Sequence, residues 1–281
     1  MAGVSAKELK SRIRSMENTR QITKAMEMVA ASKLRGAQER ALESRPYFET
    51  LYATMSDLAQ RRQDDPSPFT LAREGNKTCC IVIAGDRGLA GGYNSGVLKM
   101  AYSALEGQDA TVLPLGRKAV DFFRARGVPM LTQAHAEAAG ISVGDCFSMA
   151  RLLCEKFLAG EFDRIVLAYT NFVSLLNQSP AVLELLPLKA EKAAEKPSHT
   201  VLYEPDSASV LRAIVPEYLG GLIYGALCES IASEQAARRT AMDAATKNAD
   251  EMIDDLSLKF NRARQGAITQ EITEIVAGSE A

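Results

Sequence analysis

Phe260-Asn-Arg-Ala-Arg-Gln-Gly-Ala-Ile-Thr-Gln-Glu-Ile-Thr-Glu-Ile-Val276 closes a helical pattern that runs back to about residue 206. At ~1.5 Å of rise per residue such a helix spans on the order of 100 Å, more than a domain of this chain could enclose. A helix of that length works as a rod or lies on another helix. The other end of the chain supplies the match. From Leu9 onward, apolar or small residues recur every three or four positions: Leu9, Ile13, Met16, Thr23, Ala30, Leu34, Ala37, Ala41, Phe48, Leu51, Met55 and Leu58. This is the seam of a heptad repeat, with Arg20 and Glu27 falling on it and a second stripe of Ile22, Met26 and Val29 beside it. The tail repeats the spacing at Met242, Ala245, Ala249, Met252, Leu256, Phe260, Ala263 and Ala267, then shifts to Ile268, Ile272 and Ile275. Matching seams at the two ends, separated by a globular insertion, predict an antiparallel coiled coil. Pro46 and Pro216 are expected to kink or interrupt these helices, because proline removes an amide donor.

The insertion has a different texture. Thr78-Cys-Cys-Ile-Val-Ile-Ala84 is a short apolar run ended by glycine, the pattern of a strand buried on both faces. Ala110-Thr-Val-Leu-Pro-Leu115 and Arg164-Ile-Val-Leu-Ala-Tyr169 repeat it, with helical stretches at 95–105, 117–126 and 144–158 between them. Strand and helix in alternation predict a parallel α/β sheet. Two further apolar runs, 181–188 and 200–203, bracket the Lys/Glu/Ala-rich stretch 189–198, read as an exposed loop. The organisation expected is an N-terminal coiled-coil helix (1–61), a linker (62–76) containing Asp64-Asp-Pro-Ser-Pro68, an inserted Rossmann-like α/β domain (77–204) and a C-terminal coiled-coil helix (205–281).

Composition narrows the function. With 47% hydrophobic and 24% charged residues the chain is a folded protein rather than a disordered one. Its longest apolar run, 219–228, contains glycines and falls short of the ~20 residues a membrane helix needs. Five cysteines without metal-type spacing read as reduced, buried thiols, and two histidines leave little for a metal site. A net charge of −2 gives no pull toward nucleic acid. The charges are unevenly placed: residues 1–45 hold ten Lys or Arg against five Glu, and residues 250–281 hold three basic against seven acidic groups. Opposite signs favour antiparallel pairing of the ends, and the basic first helix could also meet an acidic partner surface.

The loop Gly85-Asp-Arg-Gly-Leu-Ala-Gly-Gly-Tyr-Asn94 follows the first strand but lacks the G-x-G-x-x-G order of a dinucleotide site and the Gly-Lys-Ser/Thr of a phosphate loop. It reads as a sharp structural turn, with Asp86 and Arg87 making local hydrogen bonds or surface contacts. No Ser/His/Asp, Cys/His or paired-carboxylate group stands out, so no catalytic, cofactor-binding or metal-binding residue is assigned. Two function classes remain open from the residues alone: an enzyme built on the α/β domain, and a coiled-coil spacer or adaptor.

Ile22-Thr-Lys-Ala-Met-Glu-Met-Val-Ala-Ala-Ser-Lys33, the Gly85 to Asn94 loop, Ser233-Glu-Gln-Ala-Ala-Arg238 and Ala263 to Val276 together resemble the γ subunit family of F-type ATP synthases, in the same order and across essentially the whole chain. The resemblance implies a non-catalytic rotor stalk without a cofactor. It implies partners as well: three α and three β subunits around the shaft, and an ε subunit and the membrane c ring at the foot. It places the chain peripherally on the cytoplasmic face of a bacterial inner membrane. By motif it assigns Lys24, Met26, Arg264, Gln265, Thr269 and Glu271 to contacts with the α/β ring, and Tyr203 and Glu204, in Leu202-Tyr-Glu-Pro205, to the c ring and ε. Two positions depart from the family pattern: Ala90 stands where many relatives carry Cys, and Arg239 where an apolar residue is usual. The segment before Cys146 lacks the chloroplast dithiol insertion, so no redox control is implied.

Overall fold

The computed structural model describes residues 5–60, 67–133, 137–188 and 207–279. The elements run α1 (Ala6–Gln60), β1 (Lys77–Ile83), α2 (Tyr93–Ala104), β2 (Asp109–Leu115), α3 (Arg117–Arg124), a 3-10 turn (Ala138–Gly140), α4 (Val143–Leu158), β3 (Arg164–Phe172), β4 (Gln178–Leu186) and α5 (Ser207–Ser279). The chain divides into two units, one of Met1–Ala31 with Arg238–Ala281 and one of Ser32–Ala237. Both long helices pass without a break from one unit into the other. The run at 200–203 and the loop 189–198 lie outside the described residues.

In the larger unit the sheet order is β2-β1-β3-β4. β1 pairs in parallel with β2 and β3, whereas β4 runs antiparallel to β3. The expected all-parallel sheet is therefore mixed. Only residues 173–177 separate β3 from β4, too few for a crossover, so the chain can return only as a hairpin. Ser174 closes that turn: its hydroxyl accepts the Asn177 amide at 3.1 Å and its carbonyl the same amide at 3.3 Å.

Strand alternation sorts the core into two faces. Cys80 and Val82 of β1, with Ala84 just after it, pack with Val97, Leu98 and Ala101 of α2 and with Ala119 and Phe123 of α3. Cys79, Ile81 and Ile83 point the other way. They join Cys146, Leu153 and Phe157 of α4, a row from Leu211 to Ala236 of α5, and Leu34 and Ala37 of α1. This explains why α5 contains an eighteen-residue window of mean hydropathy 1.3, apolar enough by composition to cross a membrane. Its apolar residues here cover a sheet.

Neither proline breaks its helix. Each leaves one carbonyl without an amide partner, that of Leu42 or Arg212, and both residues are exposed, so water can serve the freed oxygen. The helix α4 begins with a capping box: Ser142 Oγ accepts the Asp145 amide at 3.2 Å and Asp145 accepts the Ser142 amide at 2.8 Å. The Ser142 hydroxyl, which donates to the Asp145 carboxylate at 2.7 Å, and then the Ser142 amide hold that carboxyl below its ordinary range.

Gly116 joins β2 to α3 with φ of +87°, and a Cβ there would collide with the Ala84 carbonyl oxygen. We expect Gly116→Ala to lower stability by at least ~2–3 kcal/mol, from left-handed strain plus the collision, read as a fall in melting temperature. All five cysteines are buried. Burial pushes the Cys79, Cys146 and Cys154 thiols up to about 12, and raises Cys80 and Cys228 as well. At about pH 8 the folded chain should therefore take up almost no alkylating reagent, whereas unfolding should expose every thiol, a difference that intact-mass measurement resolves.

Candidate partner-binding site

Two side-chain ties fix how the terminal helices pair. Thr23 and Thr246 share a hydrogen bond of 2.8 Å between their hydroxyls, and Arg20 reaches Asp250 at 3.2 Å. Position rises on one helix as it falls on the other, so the pairing is antiparallel. Equal rise then sets Met16 level with Ile253, Ile13 with Leu256 and Leu9 with Phe260. Burial agrees: Leu9, Thr23, Ala30, Met242 and Ala249 are buried, and Ile253, Leu256, Phe260 and Ala263 are partly covered. The seam on α5 is thus Met242, Thr246, Ala249, Ile253, Leu256, Phe260 and Ala263. Met252, expected on it, is 51% exposed, and Ala245 is flanking rather than central. The second stripe on α1 faces outward at Ile22 and Val29, which are 61% and 56% exposed.

Charges flank this seam. Lys24 donates to Glu27 at 2.9 Å, and Lys247 donates to Asp243 at 2.7 Å. Lys247 first, with Lys24 and Arg239 adding to it, holds the Asp243 carboxyl below its ordinary range; Asp243 and then Glu27 hold Lys247 above its own. Arg239, where the family pattern favours an apolar side chain, therefore has Asp243 within electrostatic reach. Lys24 belongs to this charged layer, and Met26, half-buried, lies two residues away.

Beyond Ala263 the situation changes. α1 begins at Ala6, which the register sets level with Ala263, and residues 264–278 are exposed throughout. At roughly 100° per residue, Arg264, Gln265, Ile268, Thr269, Glu271, Ile272, Ile275 and Val276 share a continuous arc of about 160°. The other side carries Gly266, Ala267, Gln270, Thr273 and Glu274. Thr269 spends its hydroxyl on the Gln265 carbonyl at 2.9 Å. Arg264, the Gln265 amide and Glu271 make no side-chain hydrogen bond or ion pair among the described residues. The result is an amphipathic helix with an isoleucine stripe, a guanidinium fork and an amide all uncommitted. The structure thus brings Arg264, Gln265, Thr269 and Glu271 together at one helix end, while Lys24 and Met26 sit on the paired segment. Tyr203 and Glu204 lie outside the described residues.

The Gly85 to Asn94 loop is a structural turn. Asn94 Oδ1 accepts the Gly85 amide at 2.8 Å and Asn94 Nδ2 donates to the Arg87 carbonyl at 3.1 Å. Asp86 accepts the Arg117 amide at the start of α3 and the Ala138 amide, both at 3.1 Å. The loop lies at the carboxyl end of β1, where the strand order turns back from β2 to β3. In doubly wound sheets that reversal opens a crevice for ligands. Here α5 fills it. Ser230 Oγ accepts the Thr170 amide at 3.1 Å, Ser233 Oγ donates to the Thr170 carbonyl at 3.2 Å, and the Glu234 carboxylate abuts Gly85.

A family model described as ATP-synt, ATP synthase, matches residues 5–281. An ATP synthase gamma chain of Ruminococcus albus is 44% identical over 278 residues, 97% of each chain. This chain belongs to the ATP synthase γ family. Another gamma chain, from Pelotomaculum thermopropionicum, is 43% identical with 99% of each chain covered. Among solved structures the fold is similar to the rotor of the Euglena gracilis mitochondrial ATP synthase, with a TM-score of 0.67 at 18% identity over 94% of this chain and 98% of that one. It is also similar to the central stalk and c ring of the Tetrahymena thermophila enzyme, with a TM-score of 0.61 at 23% identity over 80% and 99%.

If the Thr23 to Thr246 bond sets the register of the γ coiled coil, Thr23→Val should leave the Thr246 hydroxyl only its Met242 carbonyl bond and cost ~0.5–1.5 kcal/mol. Thermal melts of single and double valine variants read this, with the double variant closer to wild type than either single loss would add to.

Proposed function

We propose that this chain is the central rotor stalk of an F-type ATP synthase, carrying rotation between a membrane c ring and a catalytic ring of three α and three β subunits. The observation that carries the reading is the uncovered end of α5. A helix of that length, exposed all round, with apolar and directed polar groups along one arc, is stable in water only when something encloses it. Its residues match the family motif that meets the β subunits. Membership of the family over the whole chain supports the same assignment.

In this role the shaft is a ligand of the ring. It shifts the catalytic subunits between states only if it binds those states unequally. Arg264 and Gln265 suit such selective binding, because a guanidinium and an amide address a carboxylate and backbone groups with direction, so a small rotation makes or breaks the contact. Lys24, Met26, Thr269 and Glu271 contribute to the same ring contacts, and Tyr203 and Glu204 to the contact with the c ring and ε. The chain itself performs no chemistry in this reading. The crevice where a nucleotide would sit in an α/β fold of this kind holds Ser230, Ser233 and Glu234, which argues against the enzyme alternative. The protein works on the cytoplasmic face of a bacterial membrane, attached through its partners.

Purifying the native complex should give one copy of this chain beside three α and three β subunits; its absence from such a complex would end the reading. Within the complex, Arg264→Ala with Gln265→Ala should leave helix content unchanged, since both side chains are exposed and alanine is the best helix former. The loss is two or three hydrogen bonds to β, each ~1.5–3 kcal/mol where one partner is charged. Steady-state ATP turnover or assembly should drop sharply while circular dichroism stays constant. Wild-type turnover in the double variant would reduce the tail to a plain structural helix.

A further inference from the structure

Apolar packing alone leaves α5 poorly fixed on the sheet. The row from Leu211 to Ala236 buries surface, but that attraction has no direction and resists rolling or axial sliding only through shape. A helix that bears torque needs a contact that fails abruptly when it moves. The carboxyl end of β3 provides one. β1 stops pairing at Val82 opposite Ala168, two residues short of Thr170. The Thr170 amide and carbonyl are thus left where a longer β1 would have served them, and Thr170 is 2% exposed, out of reach of water. The hydroxyls of Ser230 and Ser233, both fully buried, occupy that place. Spaced by three on one helix face, one hydroxyl accepts from Thr170 and the other donates to it. One turn on, Glu234 stands against Gly85, so closely that a Cβ there would come within 2.8 Å of its Oε1.

We propose that Ser230 and Ser233 form the torque-bearing joint between the α/β domain and the C-terminal shaft helix, fixing the rotational angle and axial position of α5 by standing in for the missing strand. They are positioning residues, and the inference rests on the rotor reading above. Any displacement of α5 by a fraction of a turn strips two buried backbone groups of their partners at once. That makes the seated position narrow and the joint stiff, whereas the apolar contacts around it would tolerate the same movement.

The test uses the whole ATP synthase in vesicles, with ATP hydrolysis and ATP-driven ion uptake measured on the same preparation. A purely structural defect lowers both in proportion to the complex lost, so the ratio of uptake to hydrolysis is the deciding quantity. For Ser230→Ala with Ser233→Ala that ratio should fall, with an upper limit of about fivefold for each net hydrogen bond taken from the seated-versus-displaced equilibrium. Thr170→Val is the control: Thr170 Oγ1 has no hydrogen-bond partner among the described residues, so this change removes a hydroxyl from the same spot without touching either tie, and the ratio should match wild type. Should the double variant fail to assemble, Ser233→Ala alone retains the Thr170 amide bond and should give a smaller fall. An unchanged ratio in the assembled serine variants, or an equal fall in Thr170→Val, overturns the joint. A wild-type chain that assembles no ion-pumping complex overturns the rotor reading instead.

Discussion

One uninterrupted helix has to hold three kinds of neighbour in succession, and the rest of the chain is arranged around that demand. Through residue 236 α5 is a layer of the α/β core; from Met242 to Ala263 it is half of a two-helix seam; past Ala263 no helix lies beside it among the described residues. A helix can change company in this way because its backbone bonds are internal and do not depend on what lies alongside. Side chains alone register the change, from Leu219 and Ile223 through Thr246 and Ala249 to Arg264 and Gln265. Proline at 216 is tolerated for the same reason: it removes one internal bond, to the carbonyl of the exposed residue Arg212, and leaves the sheet-facing row intact.

The parallel strands β1, β2 and β3 were legible because they read as apolar runs covered by helices on both faces, and the helices between them showed their own period. β4 was legible as a strand but not in its direction. The turn before it, Val173-Ser-Leu-Leu-Asn177, carries no glycine or proline, so nothing short-range announced a hairpin; a serine hydroxyl makes the turn instead. The coiled coil was legible in kind but shifted in detail. Ala245 and Met252 look like better seam residues than Thr246 and are as good as Ile253, yet the pairing chose the latter two. What decided it was Thr23 across the seam: a buried hydroxyl needs a partner, and Thr246 supplies one. Hydrophobicity alone could not rank those choices, because the deciding term is a polar match between helices 223 positions apart.

The candidate site divides along the same line. Arg264, Gln265, Thr269 and Glu271 were found by motif, and their common arc follows from helical spacing once the tail is known to be unpaired. Ser233 opens a family motif, but neither it nor Ser230 showed in the sequence what it would bind. Two serines on a helix next to Ala-rich sequence resemble filler, and their role depends on where β1 happens to stop. A signal existed only in combination: a strand that outruns its neighbour leaves backbone groups that some other element must satisfy.

The two faces of the sheet also differ in when they can close. Every member of the core on the α2 and α3 side is already present by Ala168, whereas the opposite face needs residues as late as Ala236. During synthesis from the amino terminus, the first side can pack while the second has α4 but not yet α5 to lay over Ile81, Ile83 and Leu167. The growing chain therefore carries a half-covered sheet for some 70 residues of translation, and the segment that finally seals it is the one that goes on to become the shaft. Sealing of the domain and emergence of the drive helix are consecutive events, so an exposed α5 end arises only on a chain whose foot is ready to be complete.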